Sequence, residues 1–169
     1  MTKLTIKTPE EIAIMAEGGQ KLGYVRDSLA DVVRPGLTGL DVENLAQNLI
    51  AEVGGQPSFA MVRGYHWATC INVNDIVVHG IPSKTKFKNG DVVSIDVGLY
   101  YQKFHTDTSV TVGVGKIAPQ AERFLEIGRQ ALKKAINLAK PGRLISDLSF
   151  AMEDTVTRAG YNPVKALTG

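Results

Sequence analysis

Asp96 and Asp107, eleven positions apart, are the residues of this chain whose surroundings most constrain their chemistry. Asp96 interrupts Val92-Val93-Ser94-Ile95-Asp96-Val97, a run that otherwise reads as a buried strand, where aspartate is disfavoured by propensity and by desolvation. Asp107 lies in a second strand-like run, His105-Thr106-Asp107-Thr108-Ser109-Val110. A hairpin turning around Tyr101 and Gln102 sets Asp96 opposite Asp107 on one face, with Cβ atoms roughly 5 Å apart. Two carboxylates so placed repel unless something positive lies between them. A divalent cation, or a pair of them, answers that need, because carboxylate oxygens are ligands for hard and borderline metals. An arginine or lysine would answer it too, and a register slip of one residue would turn one carboxylate to the opposite face. The loop lacks the Asn-Gly signal that would pin the register.

The histidines are read against this pair. His79 ends the short run Ile76 to His79, just before Gly80-Ile81-Pro82, where a side chain on a strand end can donate a hydrogen bond or move a proton near neutral pH. The plain alternative is an imidazole satisfied by a backbone partner. His105 shares the face of Asp107, two residues on, but a histidine at a strand entry is commonly half exposed. His66 belongs to Gly64-Tyr65-His66-Trp67, an aromatic loop that can wall an apolar pocket or supply ordinary core. Cys70, the single cysteine, sits in an apolar-polar alternation and reads as a packed structural thiol rather than a nucleophile.

The elements that must hold these residues are marked by their punctuation. Thr8-Pro9-Glu10-Glu11 supplies an N-cap, a proline at the first helical position and a glutamate three residues after the cap. The helix it opens carries Ile12, Met15, Gly19, Leu22, Arg26 and Leu29 at spacings of three and four, and Pro35-Gly36 stops it. A second helix is predicted from about Leu40 to Val53, with Leu40, Leu45, Leu49 and Val53 on one face and Gly54-Gly55 as its stop. Strands follow over Thr69 to Val73, Ile76 to His79, Asp91 to Val97 and His105 to Val112. Helical periodicity returns from Pro119 to about Ala139, and a fourth helix runs from about Asp147 to Ala159.

The chain also resembles itself. A shift of 106 residues lays Pro35-Gly36 on Pro141-Gly142, Asp41 on Asp147, Gly54 on Gly160 and Pro57 on Pro163. Coincidence is the bland explanation, since Pro and Gly punctuate most helices. A true duplication implies one complete half, with helices and strands, and a second half represented by helices.

With 169 residues, 44% hydrophobic and 21% charged, the chain falls in the ordinary range for one globular domain. Its 19 basic and 17 acidic residues leave a net charge of +2 with no Lys/Arg run, which argues against a nucleic-acid substrate. A lone cysteine and the lack of an apolar span or signal-like stretch favour a reducing cytosol.

Taken together, Asn72-Val73-Asn74, Val78-His79-Gly80-Ile81-Pro82, Gly90-Asp91-Val92-Val93-Ser94-Ile95-Asp96-Val97 and His105-Thr106-Asp107-Thr108-Ser109 resemble, in order and spacing, the type I methionine aminopeptidases. The resemblance spans essentially the whole chain. It implies a pita-bread fold, a pseudo-two-fold α/β (α+β) sandwich, in which residues 1–115 form the first half and 116–169 the helices of the second. It implies hydrolysis of the first peptide bond of a nascent protein or peptide by two divalent ions, cobalt, manganese, iron or zinc. Asp96 and Asp107 become the first two metal ligands, His79 a polar group near the scissile bond, and Tyr65 a wall of the methionine pocket. Phe59, Arg63 and Trp67 depart from the commonest bacterial pattern of that pocket. The family continues past Gly169 with a further histidine and two glutamate ligands, so the chain as given is expected to be an incomplete, weakly active or inactive form that self-associates, with no membrane partner. The rivals are a non-catalytic pita-bread binding module and a proline-specific aminopeptidase of the same fold.

Overall fold

The computed structural model describes residues 6–164, and the chain divides into two compact units, Met1–Ile117 and Ala118–Gly169. The first unit opens with α1, Pro9–Val32, whose start is sealed as its residues dictate. The Glu11 N–H donates to Thr8 Oγ1 at 3.2 Å and the Thr8 N–H to Glu11 Oε2 at 2.8 Å, a reciprocal cap. Helix α2, Gly39–Glu52, repeats the device with Thr38 and Asp41.

Both helices bury a face rotated from the predicted one. In α1 the buried line is Gly18, Leu22, Val25 and Leu29, whereas Ile12 and Gly19 are exposed and Met15 and Arg26 only half-buried. In α2 the core takes Val42, Ala46, Leu49 and Ile50, with Leu40, Leu45 and Val53 half-buried. In α1 the buried line is the one that packs on β3 and β4, and at Gly18 a Cβ would meet Tyr101 in ordinary contact at 3.6 Å.

The sheet is built from β1, Gln56–Pro57, β2, Thr69–Val73, β3, Val92–Tyr101, and β4, Phe104–Gly113, with β3 pairing antiparallel to all three others. Strand β3 is thus the central element. Its Val93, Ile95, Val97 and Leu99 are fully buried against the helices, each side chain contributing about 1.5–3 kcal/mol of burial.

The hairpin register differs from the predicted one. Asp96 pairs with Ser109 and Asp107 with Gly98, because the two-residue turn is Gln102-Lys103 rather than Tyr101-Gln102. Both turn residues lie in the left-handed region, at φ 45° and 73°, the twist a two-residue hairpin requires. The slip is two residues, so the face of every side chain is preserved.

Ile76 to His79 is not a strand. Chain reversal at Asn74, φ 53°, ends β2, and the Asn74 side chain accepts from the Val92 N–H while donating to Asp91. With both side-chain ends of Asn74 bonded across to the start of β3, the segment leaves the sheet, and Ile76, Val77 and Val78 are exposed. It returns at Gly80, whose N–H donates to Asn72 Oδ1 at 2.8 Å and whose carbonyl accepts from the Ile71 N–H at 2.8 Å. A Cβ on Gly80 would stand 2.2 Å from the Ile71 carbonyl oxygen, so the loop can dock here only with glycine.

The second unit is a helix pair, α3, Pro119–Leu138, and α4, Ile145–Arg158, in contact with each other. Its fourth-helix boundaries lie one or two residues from the predicted ones. Phe124 of α3 meets Tyr161 edge-on at 5.2 Å, and Leu125, Ala131 and Ala135 are buried. Phe124, Leu132 and Ile136 of α3 and Phe150 of α4 stay exposed.

Candidate metal centre

The pleat of β3 separates the core from the chemistry. Residues alternate between faces, so Val93, Ile95, Val97 and Leu99 turn to the helices and Ser94, Asp96, Gly98 and Tyr100 to the other side. Register pairing adds His105, Asp107 and Ser109 of β4 and Cys70 and Asn72 of β2 to that second face. It is the polar face of the sheet, half-buried at Asp96 and exposed at Asp107.

Asp96 and Asp107 are therefore diagonal neighbours on one face, and their carboxyl groups lie within hydrogen-bonding reach. Burial and then the negative charge of Asp107 push the Asp96 carboxyl up to about 6, while the His79 imidazole and the Val97 N–H pull it back. A carboxylate pair in this state binds either a proton or a cation. Among the described residues no lysine or arginine forms an ion pair with either aspartate, and no cluster of three or more His, Cys, Asp or Glu surrounds them. The donor set fits a divalent cation as a two-oxygen share of its ligands.

His79 reaches this face from the loop. Its backbone sits at φ 56°, held there by the docked Gly80 beside it, and its charge is felt at Asp96. Such a conformation is uncommon outside glycine and is sustained here by the neighbouring hydrogen bonds. His105 is otherwise occupied: its Nδ1 lies 2.7 Å from Ser58 Oγ and its ring 4.7 Å from that of Tyr100. His66 is exposed.

Tyr65 stands beside the pair. Its hydroxyl donates to the Thr69 carbonyl at 2.7 Å and lies 3.2 Å from Cys70 Sγ, directly across the ladder from Asp96. Desolvation and the Cys70 contact push the Tyr65 phenol up, and burial pushes the Cys70 thiol up, so both stay protonated. Cys70 is 5% exposed, a packed thiol as its sequence context implied.

Two further residues build the site: Phe59, which the sequence offered only as a departure from the family's pocket pattern, and Glu43, which had no signal strong enough to name it. Phe59 lies over Gly98, where a Cβ would meet its ring at 2.7 Å, so Gly98 leaves room for an aromatic ring next to Asp107. Glu43 of α2 is fully buried and bonds the start of β2. Its signal was an acidic residue among the buried positions Val42, Ala46, Leu49 and Ile50.

A model of metallopeptidase family M24 matches residues 13–169. The chain belongs to this family. Its M24 relatives include methionine aminopeptidase 1 of Bacillus subtilis, 32% identical over 96% of this chain and 66% of that protein. The methionine aminopeptidase of Clostridium perfringens is 34% identical over 98% of this chain and 67% of its own. Among solved structures, the methionine aminopeptidase of Thermotoga maritima superposes with a TM-score of 0.91 at 38% identity, over 95% of this chain and 65% of that one. The M24 fold extends to the prolidase of Pyrococcus furiosus, with a TM-score of 0.82, 26% identity and 45% of that chain covered. The pita-bread architecture of these M24 peptidases is thus the fold of this chain, which spans about two thirds of the length of the curated relatives it matches.

Proposed function

We propose that this chain carries the first metal-binding face of a methionine aminopeptidase, which removes the amino-terminal methionine from nascent proteins. The observation that supports it most directly is the Asp96–Asp107 pair, on the polar face of an M24 sheet and without a lysine or arginine ion-pair partner among the described residues. The similarity to methionine aminopeptidases over nearly the whole chain supports this substrate over a proline-specific one.

Asp96 and Asp107 hold divalent cations in this reading. When bound, two such ions supply a water of lowered pKa and polarise the methionyl carbonyl. Cobalt, manganese, iron and zinc all suit oxygen and imidazole ligands. His79 faces the scissile bond from its fixed loop and donates a hydrogen bond as charge develops on the carbonyl oxygen. Tyr65 walls the methionine side chain in this reading, with its hydroxyl engaged by the Thr69 carbonyl. The partner is the free amino terminus of a peptide, and a reducing cytosol suits the lone protonated Cys70. Among the described residues no helix is long and apolar enough to cross a membrane.

The test, made in full-length protein, is methionine release from short peptides with a small second residue, assayed with each of the four metals. Asp96→Asn or Asp107→Asn is expected to abolish release and leave the circular-dichroism spectrum unchanged. Near wild-type turnover of either variant at saturating metal overturns the ligand assignment.

A further inference from the structure

Glu43 is a carboxylate on the buried face of α2, with 0% exposure, where an unsatisfied charge would be very costly. Its Oε1 accepts from the Ala68 N–H and from Gln47 Nε2, both at 2.7 Å. Its Oε2 accepts from the Thr69 N–H at 2.9 Å and from Thr69 Oγ1 at 2.5 Å. Four donors fill the lone-pair sites of a carboxylate. Glutamine could not replace it, because its amide N–H₂ would point at donors on one side. An aliphatic side chain here would leave the Ala68 and Thr69 N–H groups buried without an acceptor, each at its full desolvation cost. What the carboxylate adds is the position of two successive backbone N–H groups at the foot of β2.

Those groups lead straight to the cleft. The carbonyl of Thr69, whose N–H and hydroxyl Glu43 holds, is the acceptor of the Tyr65 hydroxyl. Tyr65 in turn covers Cys70, the ladder partner of Asp96. We propose that Glu43 is a positioning residue that locks the Tyr65 loop onto β2 and thereby sets the shape of the substrate side-chain wall beside Asp96. The inference rests on the reading of this face as the peptide-binding face.

Cys70 is the chain's single thiol, so its modification rate reports how firmly Tyr65 is seated. The experiment compares the chain with Glu43→Gln, Thr69→Val and a core variant of matched stability loss, Val25→Ala, using a chromogenic disulfide reagent under native conditions. Glu43→Gln is expected to speed Cys70 modification about tenfold or more and Thr69→Val by less, with Val25→Ala within about twofold of wild type. Manganese binding at Asp96 and Asp107, followed by calorimetry, should be unchanged. In protein that turns over methionyl peptides, Glu43→Gln should raise KM about tenfold with kcat within about twofold, the signature of lost ground-state positioning. Cys70 rates in Glu43→Gln and Thr69→Val equal to that of Val25→Ala overturn the proposal. Should Glu43→Gln fail to fold, Thr69→Val decides alone, because it keeps both backbone bonds to Glu43 and deletes only the hydroxyl one. Loss of the metal or peptidase result without loss of the thiol result would count against the proposed function and leave the lock standing.

Discussion

At the scale of single residues, the molecule's chemistry is concentrated in one repulsive pair. Asp96 has its carboxyl held at about 6 by burial and by Asp107, above the ordinary aspartate value of 3.8. The unfolded chain therefore releases this proton first as pH rises, and the metal-free fold loses stability between about pH 4 and pH 6 on account of this group. Asp96→Asn removes the effect, so the difference in urea midpoint between the two proteins should turn in favour of the variant across that window. Saturating manganese should restore the wild-type advantage, since the cation binds the carboxylate and stabilises the native state by mass action. Parallel midpoints at pH 4 and pH 7 would contradict the pairing. His79 poses a separate question at the same scale. His79→Ala is expected to keep metal binding and to lower kcat by about 10²-fold or more, the usual loss for a transition-state hydrogen-bond donor. Unchanged kinetics would return His79 to a backbone-satisfied loop residue.

Among the elements, the β3–β4 hairpin decides the site, and its turn is made by residues poorly suited to it. Gln102 and Lys103 both adopt positive φ, where a side chain without special local hydrogen bonds is disfavoured. Replacing them by Asn-Gly should raise stability by about 1 kcal/mol and leave the Asp96–Ser109 register intact. Thermal unfolding measures the first expectation, and cross-strand nuclear Overhauser contacts measure the second. A fall in stability would mean that the native turn is held by its flanks, for instance by Gln102 Nε2 donating to the Tyr101 hydroxyl at 3.0 Å. The loop carrying His79 depends on a different device, the docking of Gly80 between Asn72 and Ile71. That device turns an apolar run into an exposed loop and frees the histidine from the alternation of a strand.

For the whole molecule, the helices fall into two pairs, α1 with α2 and α3 with α4, and the strands described pack with α1 and α2. Among the described strands, β4 pairs with β3 alone, so its outer edge is open over ten residues. Exposed Phe124 at 53%, Ile136 at 62% and Phe150 at 69% give α3 and α4 an apolar surface of their own. Open edges and large apolar faces find partners. We expect the 169-residue chain to associate with a second copy, to bind divalent metal loosely through its two aspartates and to release methionine weakly or not at all. A compact monomer by sedimentation would defeat the first expectation, and robust methionine release by the purified chain the last.

The helix boundaries, the presence of the two Asp-bearing strands and the shared face of Asp96 and Asp107 were legible in the residues, because caps, Pro-Gly stops and period-two alternation act over a few positions. That same locality explains why a wrong turn assignment did no harm to the face. A slip of two residues along a pleated strand changes the partner and keeps the side. What the tertiary structure decided was everything set by contact between distant segments. The buried line of α1 follows from which of its faces packs on β3 and β4. The loss of the Ile76 to His79 strand follows from Asn74 and Gly80 bonding to neighbouring strand segments. The role of Glu43 exists only because Ala68 and Thr69, some 25 residues away, bring their N–H groups to it. A carboxylate on a helix reads as solvated until its donors are in place, and those donors arrive with the packing of α2 against β2.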